Sequence, residues 1–358
     1  MRWFLGLVLV VALVTGAAYA VGRFVLPNTL TVSETVSVER PRAAVYAMTN
    51  DLRIVKEWSP FYALDPEADY AFGGEGPGEG QTMRWVSAVR DVGSGRMSIV
   101  QSDENERIEG ILELKDRATL NSRFDLHAAQ GGTAVTWSVS AECSDGWVNV
   151  PCRYMNLISK STIQSHLLNG LNRLKTLAEQ LPNVDFEGFD IAQTPVESQN
   201  VLFVDVAIGS GADGAGPTFN DRDQAEREGI DSLDRFVANN QVVRGDGLVR
   251  VFPQVNGVNG VYTFSVGYPF NGAPPGRLVG VRIGSTPSGA ALRAMYVGRR
   301  SQIPLMYQRL DAYMQAHRIS PRDGAERWEI VRQVEAPTAD SAYPNDPIEH
   351  TEIYFPID

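Results

Sequence analysis

The chain is poor in the residues that most often carry chemistry: 358 residues hold two cysteines and four histidines. The histidines lie far apart in sequence, so a His-rich metal site has no basis. Cys143 and Cys152 fit neither a zinc-ligand spacing nor a Cys-x-x-Cys redox pair. No G-x-S-x-G nucleophile elbow and no H-E-x-x-H helix occurs. These absences point to no metal, no cofactor and no ready catalytic constellation. An excess of positive charge is missing too. Lys and Arg number 32 against 43 Asp and Glu, a formal charge of −11, which argues against nucleic acid as a partner. Two glycine-rich stretches lack what a phosphate needs. Gly73–Gly80 contains two Glu and no Lys. Gly209-Ser-Gly-Ala-Asp-Gly214 matches a dinucleotide fingerprint, but Pro217 interrupts the helix that should follow, and Asp213, Asp221 and Asp223 would repel a pyrophosphate.

What is present fits a globular protein of two domains plus a leader: 43% apolar and 21% charged residues. The one long uncharged run, residues 3–22, is flanked by Arg2 and Arg23, with Trp3 and Tyr19 near its ends. At about 1.5 Å per residue it spans a hydrocarbon core of about 30 Å. Residues 1–28 therefore read as a single-pass anchor in an inner membrane, with the bulk of the chain on the periplasmic side. The competing reading is a signal peptide cut after the small-x-small sequence Ala18-Tyr19-Ala20. For Cys143 and Cys152 two readings stand: a disulfide closing a short loop in an oxidising compartment, or two unlinked thiols.

Residues 30–181 alternate between strand and helix patterns. Thr31–Val38 alternates as a strand, Pro41 opens a helix through Met48, and a short helix covers Leu52–Trp58 before Pro60. Strand patterns follow near 83–89, 96–101, 107–114, 120–127 and 133–143. Val135, Trp137, Val139 and Ala141 share one face, as do Leu120, Phe124 and Leu126. Leu167, Leu171, Leu174, Ala178 and Leu181 then form the apolar stripe of a long helix, widened by Leu168 and Leu177. His127 falls on the face opposite Phe124, and Trp58 and Trp137 read as core. The sequences Arg40-Pro-Arg-Ala-Ala-Val-Tyr-Ala, Asn50-Asp51, Glu57-Trp-Ser-Pro60 and Val92-Gly-Ser-Gly-Arg-Met-Ser-Ile resemble the START-like polyketide cyclase/dehydrase (SRPBCC) family. That resemblance implies a helix-grip fold with an apolar cavity between sheet and helix.

Residues 182–199 mix Pro, Asn, Asp, Thr and Ser without periodicity and read as a linker. In residues 200–358 a weak duplication appears. The strand Val201–Ile208, a helix ending Leu233-Asp-Arg-Phe236 and a strand ending Tyr268-Pro269 have counterparts. These are Ala291–Gly298, a helix ending Leu310-Asp-Ala-Tyr313 and Thr351–Pro356. Two βαβ-type copies side by side would leave a groove between their helices. Tyr296-Val-Gly298, Tyr307 with Leu310-Asp311, Trp328-Glu329 and Thr351-Glu-Ile-Tyr-Phe-Pro356 resemble the GyrI-like domain, the effector-binding domain of AraC- and MerR-type regulators.

The expected class is thus α+β: a transmembrane helix, a helix-grip domain, then a pseudo-duplicated GyrI-like domain. The GyrI resemblance implies a pocket for a small hydrophobic, often cationic, ligand. Carried over, its candidates are Glu352 and Tyr354, with Tyr296, Tyr307 and Trp328 as walls. Alternation separates Glu352 and Tyr354 from Ile353 and Phe355, and a carboxylate among rings needs a partner, either a ligand cation or a surface arginine. No helix-turn-helix precedes the domain, Tyr296-Val297 replaces the family's usual His, and Arg299-Arg300 replaces its Pro-aromatic pair, so direct control of transcription is not expected. Ligand binding or sensing leads. The alternatives are a hydrolase or cyclase-like enzyme with Glu352 as base and Tyr354 as acid, or a protein-interaction module.

Overall fold

The computed structural model describes residues 2–144, 149–209, 216–252, 260–272, 276–337 and 346–358. The chain divides into two compact units, Met1–Glu187 and Gly188–Asp358.

The first unit opens with α1 (Arg2–Phe24), whose stretch Gly6–Phe24 is long and apolar enough to cross a membrane. Most of its described side chains are exposed, Leu13 at 65%. Then come β1 (Thr29–Val38), α2 (Arg42–Asn50), α3 (Leu52–Trp58), α4 (Pro60–Leu64), β2 (Asp69–Gly73), β3 (Thr82–Val86), β4 (Ser94–Asp103), β5 (Arg107–Leu114), β6 (Ala118–Ala129), β7 (Gly132–Glu142) and α5 (Val150–Ala178). The strands form one antiparallel sheet in the order β1-β7-β6-β5-β4-β3-β2. Sequential hairpins explain that order, except that β1 closes onto β7. The sheet grips α5 through the expected stripe: Leu171, Leu174 and Ala178 are fully buried. This is a helix-grip arrangement. Leu168, expected to widen the stripe, is 41% exposed, because it points away from the sheet.

Helix α5 starts well before its stripe. Cys143 and Cys152 are bonded to each other, tying the end of β7 to the first turn of α5. Arg153 donates from Nη1 to the carbonyls of Arg23 and Leu26, both at 2.9 Å, and the Tyr154 hydroxyl donates to the Ala18 carbonyl at 2.7 Å. The turn Gly74–Gly80 depends on its glycines, with φ of 105° at Gly74 and 92° at Gly78, where a side chain would strain the backbone.

The second unit contains β8 (Ile191–Val196), β9 (Asn200–Gly209), α6 (Phe219–Asn240), β10 (Val243–Arg244), β11 (Leu248–Phe252), β12 (Val261–Asn271), β13 (Arg282–Ser285), β14 (Gly289–Arg299), α7 (Ile303–Ala316), β15 (Arg327–Glu335) and β16 (Ile348–Pro356). Its sheet runs β13-β9-β12-β11-β15-β16-β14-β8, and every neighbouring pair is antiparallel. Outward from the central pair, β11 is followed by β12 and β9, and β15 by β16 and β14. Apart from the two-residue β10, which pairs with β12, each half is therefore β-α-β-β, and the βαβ reading left out β11 and β15. The segment expected to be a linker carries β8, which pairs with β14. Leu233 on α6 and Leu310 on α7, the leucines of the repeated Leu-Asp-x-aromatic sequence, are both fully buried. Most of the G-x-G-x-x-G sequence lies outside the described residues.

Candidate functional site

The two units treat their interiors differently. In the first, large side chains occupy the space between sheet and α5. Phe124 and Trp137 face each other across β6 and β7 and stack at 5.0 Å, and Trp58 meets both edge-on at 5.8 Å. Each indole in this trio is satisfied internally: Trp58 donates to the Met48 carbonyl and Trp137 to Ser122 Oγ. Gly170 of α5 lets Trp137 close in, since a Cβ there would lie 2.8 Å from the indole. The gap left beside Trp58, Trp85 and Trp137 is about 10 Å³, at the lower limit for one water. The apolar cavity implied by the family resemblance is thus filled. A depression of about 450 Å³ on this unit's sheet, along Glu109, Asn121, Arg123 and Ser138, has no aromatic wall. Its Arg123 is already paired with Glu109 at 3.4 Å and Asp125 at 2.7 Å.

In the second unit a cleft of about 380 Å³ opens between α6 and α7 over the central strands. Phe252 and Phe264, stacked at 6.0 Å, form an aromatic wall, with Tyr307 edge-on to Phe252 at 6.5 Å. Its floor is ionic. Arg250 on β11 lies directly opposite Glu329 on β15, and only 4% of its side chain is exposed. Its Nε donates to Glu226 at 2.9 Å and its Nη1 to Glu329 at 3.0 Å. The two Nη groups grip Glu349 at 2.8 and 2.7 Å. Arg300, in the short turn before α7, bonds Asp223 at 2.5 Å and also bonds Glu226, while Arg227 takes the other oxygen of Asp223. The Tyr307 hydroxyl donates to Glu329 Oε1 at 2.6 Å.

Burial penalises charge here, and the partners decide how far each group moves. Burial raises the Glu329 carboxyl above the ordinary range, and Arg250 with the Tyr307 hydroxyl offsets only part of that. Burial also pushes the Tyr307 phenol well up, helped by the neighbouring Glu329 charge. Burial works against the Arg250 guanidinium, but Glu226, Glu349 and Glu329 outweigh it and hold the cation firmly.

The structure does not bring the five sequence candidates together. Tyr307 lines the cleft. Tyr296 is on the same side of the sheet but packs with Met306, Leu310 and Phe355, and its hydroxyl donates to the Arg299 carbonyl. Trp328 and Tyr354, directly opposite each other, stack at 4.8 Å in a separate core with Val249 and Ile330. Glu352 shares that face. It pairs with Arg332 at 2.9 Å and accepts from the Tyr354 hydroxyl at 2.8 Å. Burial raises its carboxyl, but these two partners outweigh burial and hold it below the usual range. Residues alternate along β16, and the helices cover the Ile353 and Phe355 side. The strand that matters, β15, alternates in the same way: Glu329 faces the helices and Trp328 does not. Arg250, Glu226 and Glu349 were missed because nothing local distinguishes them. Arg250 alone leaves a signal, a charge in the otherwise apolar strand Leu248-Val-Arg-Val-Phe252, whereas Glu226 lies on the charge-rich helix α6 and Glu349 in a strand with other polar residues. Among the described residues no group of three or more His, Cys, Asp or Glu is placed to hold a metal ion.

No family model matches the chain, and no curated protein matches it. Solved structures do resemble part of it. Ara h 8.0201 is 16% identical, with 42% of this chain covering 99% of that one at a TM-score of 0.31. The di-domain ARO/CYC StfQ from the steffimycin biosynthetic pathway is 12% identical, with 42% of this chain covering 51% of that one at 0.33. A putative uncharacterized protein from Rhizobium leguminosarum is 18% identical, with 42% of this chain covering 95% of that one at 0.30. Scores this low carry no argument, and the helix-grip description rests on strand order and on the helix that the sheet encloses.

Proposed function

We propose that the chain is a membrane-tethered receptor for a small hydrophobic molecule, with the cleft between α6 and α7 as its binding site. The observation that carries this reading is an aromatic-walled hollow whose floor is a buried, fully paired ion cluster. Ligand sites are typically apolar hollows with a few fixed polar groups. The paired ionic floor keeps the hollow open, and Arg327 in its lining is a polar group within reach of an occupant. We read the second unit as a duplicated GyrI-like domain, each copy being one β-α-β-β half, and the first as an SRPBCC-like domain whose cavity has closed. The helix α1 is read as an inner-membrane anchor with both units on the periplasmic side. The Cys143–Cys152 bond supports that side, because disulfides persist in oxidising compartments.

A second reading, hydrolysis, is favoured by one observation. Glu329 and Tyr307 form a hydrogen-bonded acid–base pair at the cleft, with the carboxyl raised above its ordinary range by burial. Glu352 and Tyr354 also touch, but a carboxyl held below its usual range is the weaker base.

The test is a thermal-shift screen of the full-length protein with neutral, cationic and anionic aromatic compounds, repeated on Phe264→Ala. Stabilisation that the variant loses supports the receptor. Stabilisation that Phe264→Ala retains, or none with any compound, contradicts it. Turnover of an ester panel that vanishes in Glu329→Gln would favour the enzyme.

A further inference from the structure

The ionic floor constrains the charge of whatever enters the cleft. Four carboxylates, from Asp223, Glu226, Glu329 and Glu349, lie in or beneath it. Both oxygens of each already accept a bond or ion pair. Asp223 is held by Arg300 and Arg227, Glu226 by Arg250 and Arg300, Glu329 by Tyr307 and Arg250, and Glu349 by both Nη groups of Arg250. A cationic ligand would have to share a carboxylate whose charge a guanidinium already balances, so it gains less there than at an unpaired one.

The cations are not all used in this way. Arg327 lines the cleft and is half-buried, with its guanidinium 5.0 Å from the Tyr307 ring centre and 5.5 Å from that of Phe355. The ring faces hold its position but accept none of its in-plane N–H groups. Arg222, exposed on α6, also lines the cleft. Neither forms a short ion pair among the described residues, although Arg327 acts at longer range on the Asp311 carboxyl. Their solvent-facing donors suit an acceptor with negative charge, beside an aromatic wall that suits an apolar body.

We infer that the occupant is an amphiphilic anion, an aromatic or alicyclic body bearing a carboxylate or similar acid group, whose charge meets Arg327. This rests on the receptor reading and adds the ligand's sign, opposite to the cation that the family resemblance implied.

The experiment uses three probes with one ring system: 2-naphthoate, 2-naphthylmethanol and 2-naphthylmethylammonium. Each is titrated calorimetrically into the full-length protein in nanodiscs, with empty nanodiscs as the blank. A charge-assisted bond to arginine predicts that naphthoate binds on the order of tenfold tighter than the ammonium probe. Arg327→Gln collapses that ratio toward one, and raising the salt weakens naphthoate selectively. Arg327 is half-buried at the cleft rim, and a melting curve of the variant checks that it folds. Equal affinities, or a preference for the ammonium, overturn the inference. If Phe264→Ala then abolishes that binding, the receptor reading survives alone. A naphthoate preference that persists in Arg327→Gln places the anion elsewhere and overturns the inference as well. Failure of all three probes to bind overturns both.

Discussion

The first unit fills the space between sheet and helix with Trp58, Phe124 and Trp137, and the second leaves its space open over a floor of charge. Both are antiparallel sheets packed on helices. The difference lies in which side chains meet at the centre. Three aromatics that satisfy their own indoles internally can close completely. A guanidinium fixed among three carboxylates cannot collapse further without stranding a charge, so the cleft above it persists. Fold type alone would have suggested the reverse, a cavity in the helix-grip unit.

The sharpest way to break this comparison is to remove each centre. Trp137→Ala is expected to destabilise the first unit by about 3–5 kcal/mol, because a large void opens where almost none exists. Arg250→Met is expected to cost the second unit about 3–5 kcal/mol, because Glu226, Glu329 and Glu349 lose their common partner. Denaturant melts followed separately through each unit check both. Each variant should shift one transition and leave the other in place. For Arg250→Met the deficit shrinks toward acid pH, where the stranded carboxyls bind protons.

Gly170→Ala sharpens the same contrast at smaller amplitude. Its Cβ would meet the Trp137 ring at 2.8 Å. Overpacking of about 1–3 kcal/mol should exceed the gain in helix propensity of about 1 kcal/mol, giving a net loss in the melt of the first unit.

The sequence carried most of the periodic elements. The helix-grip stripe from Leu167 to Leu181, the strands at 107–114 and 133–143 and, in the second unit, β9, α6, β12, β14, α7 and β16 are readable because burial enforces a period. The short strands β8, β11 and β13 have too few turns of alternation to stand out. The site was harder still. Arg250 and Glu329 become a pair only when β11 lies beside β15, a contact across about 80 residues that no local pattern announces. Of the five residues proposed from sequence, Tyr307 lies in the cleft. The face assigned to Glu352, Tyr354 and Trp328 was self-consistent but turned away from the helices.

The two carboxylates also separate by pH. Glu352 is held below its unfolded value, so its contribution is present above about pH 4.3 and is lost as pH falls through its folded value. Glu352→Gln should therefore cost less than about 1 kcal/mol near neutrality, because Arg332 is partly solvated, and nothing in strong acid. Glu329 is raised, so its contribution is fully present below the unfolded value and is lost as pH rises through the folded one. The stability of Glu329→Gln relative to the parent should improve as pH rises from 4 to 8. Melting curves of both variants across that range check the opposite signs.

The most direct test of where this protein receives its ligand is hydrogen–deuterium exchange on the full-length chain, with and without saturating 2-naphthoate. Slowed exchange is expected, confined to Leu248–Phe252, the first turns of α7 and the start of α6. Protection appearing instead in α5 and β6–β7, inside the helix-grip unit, would contradict it.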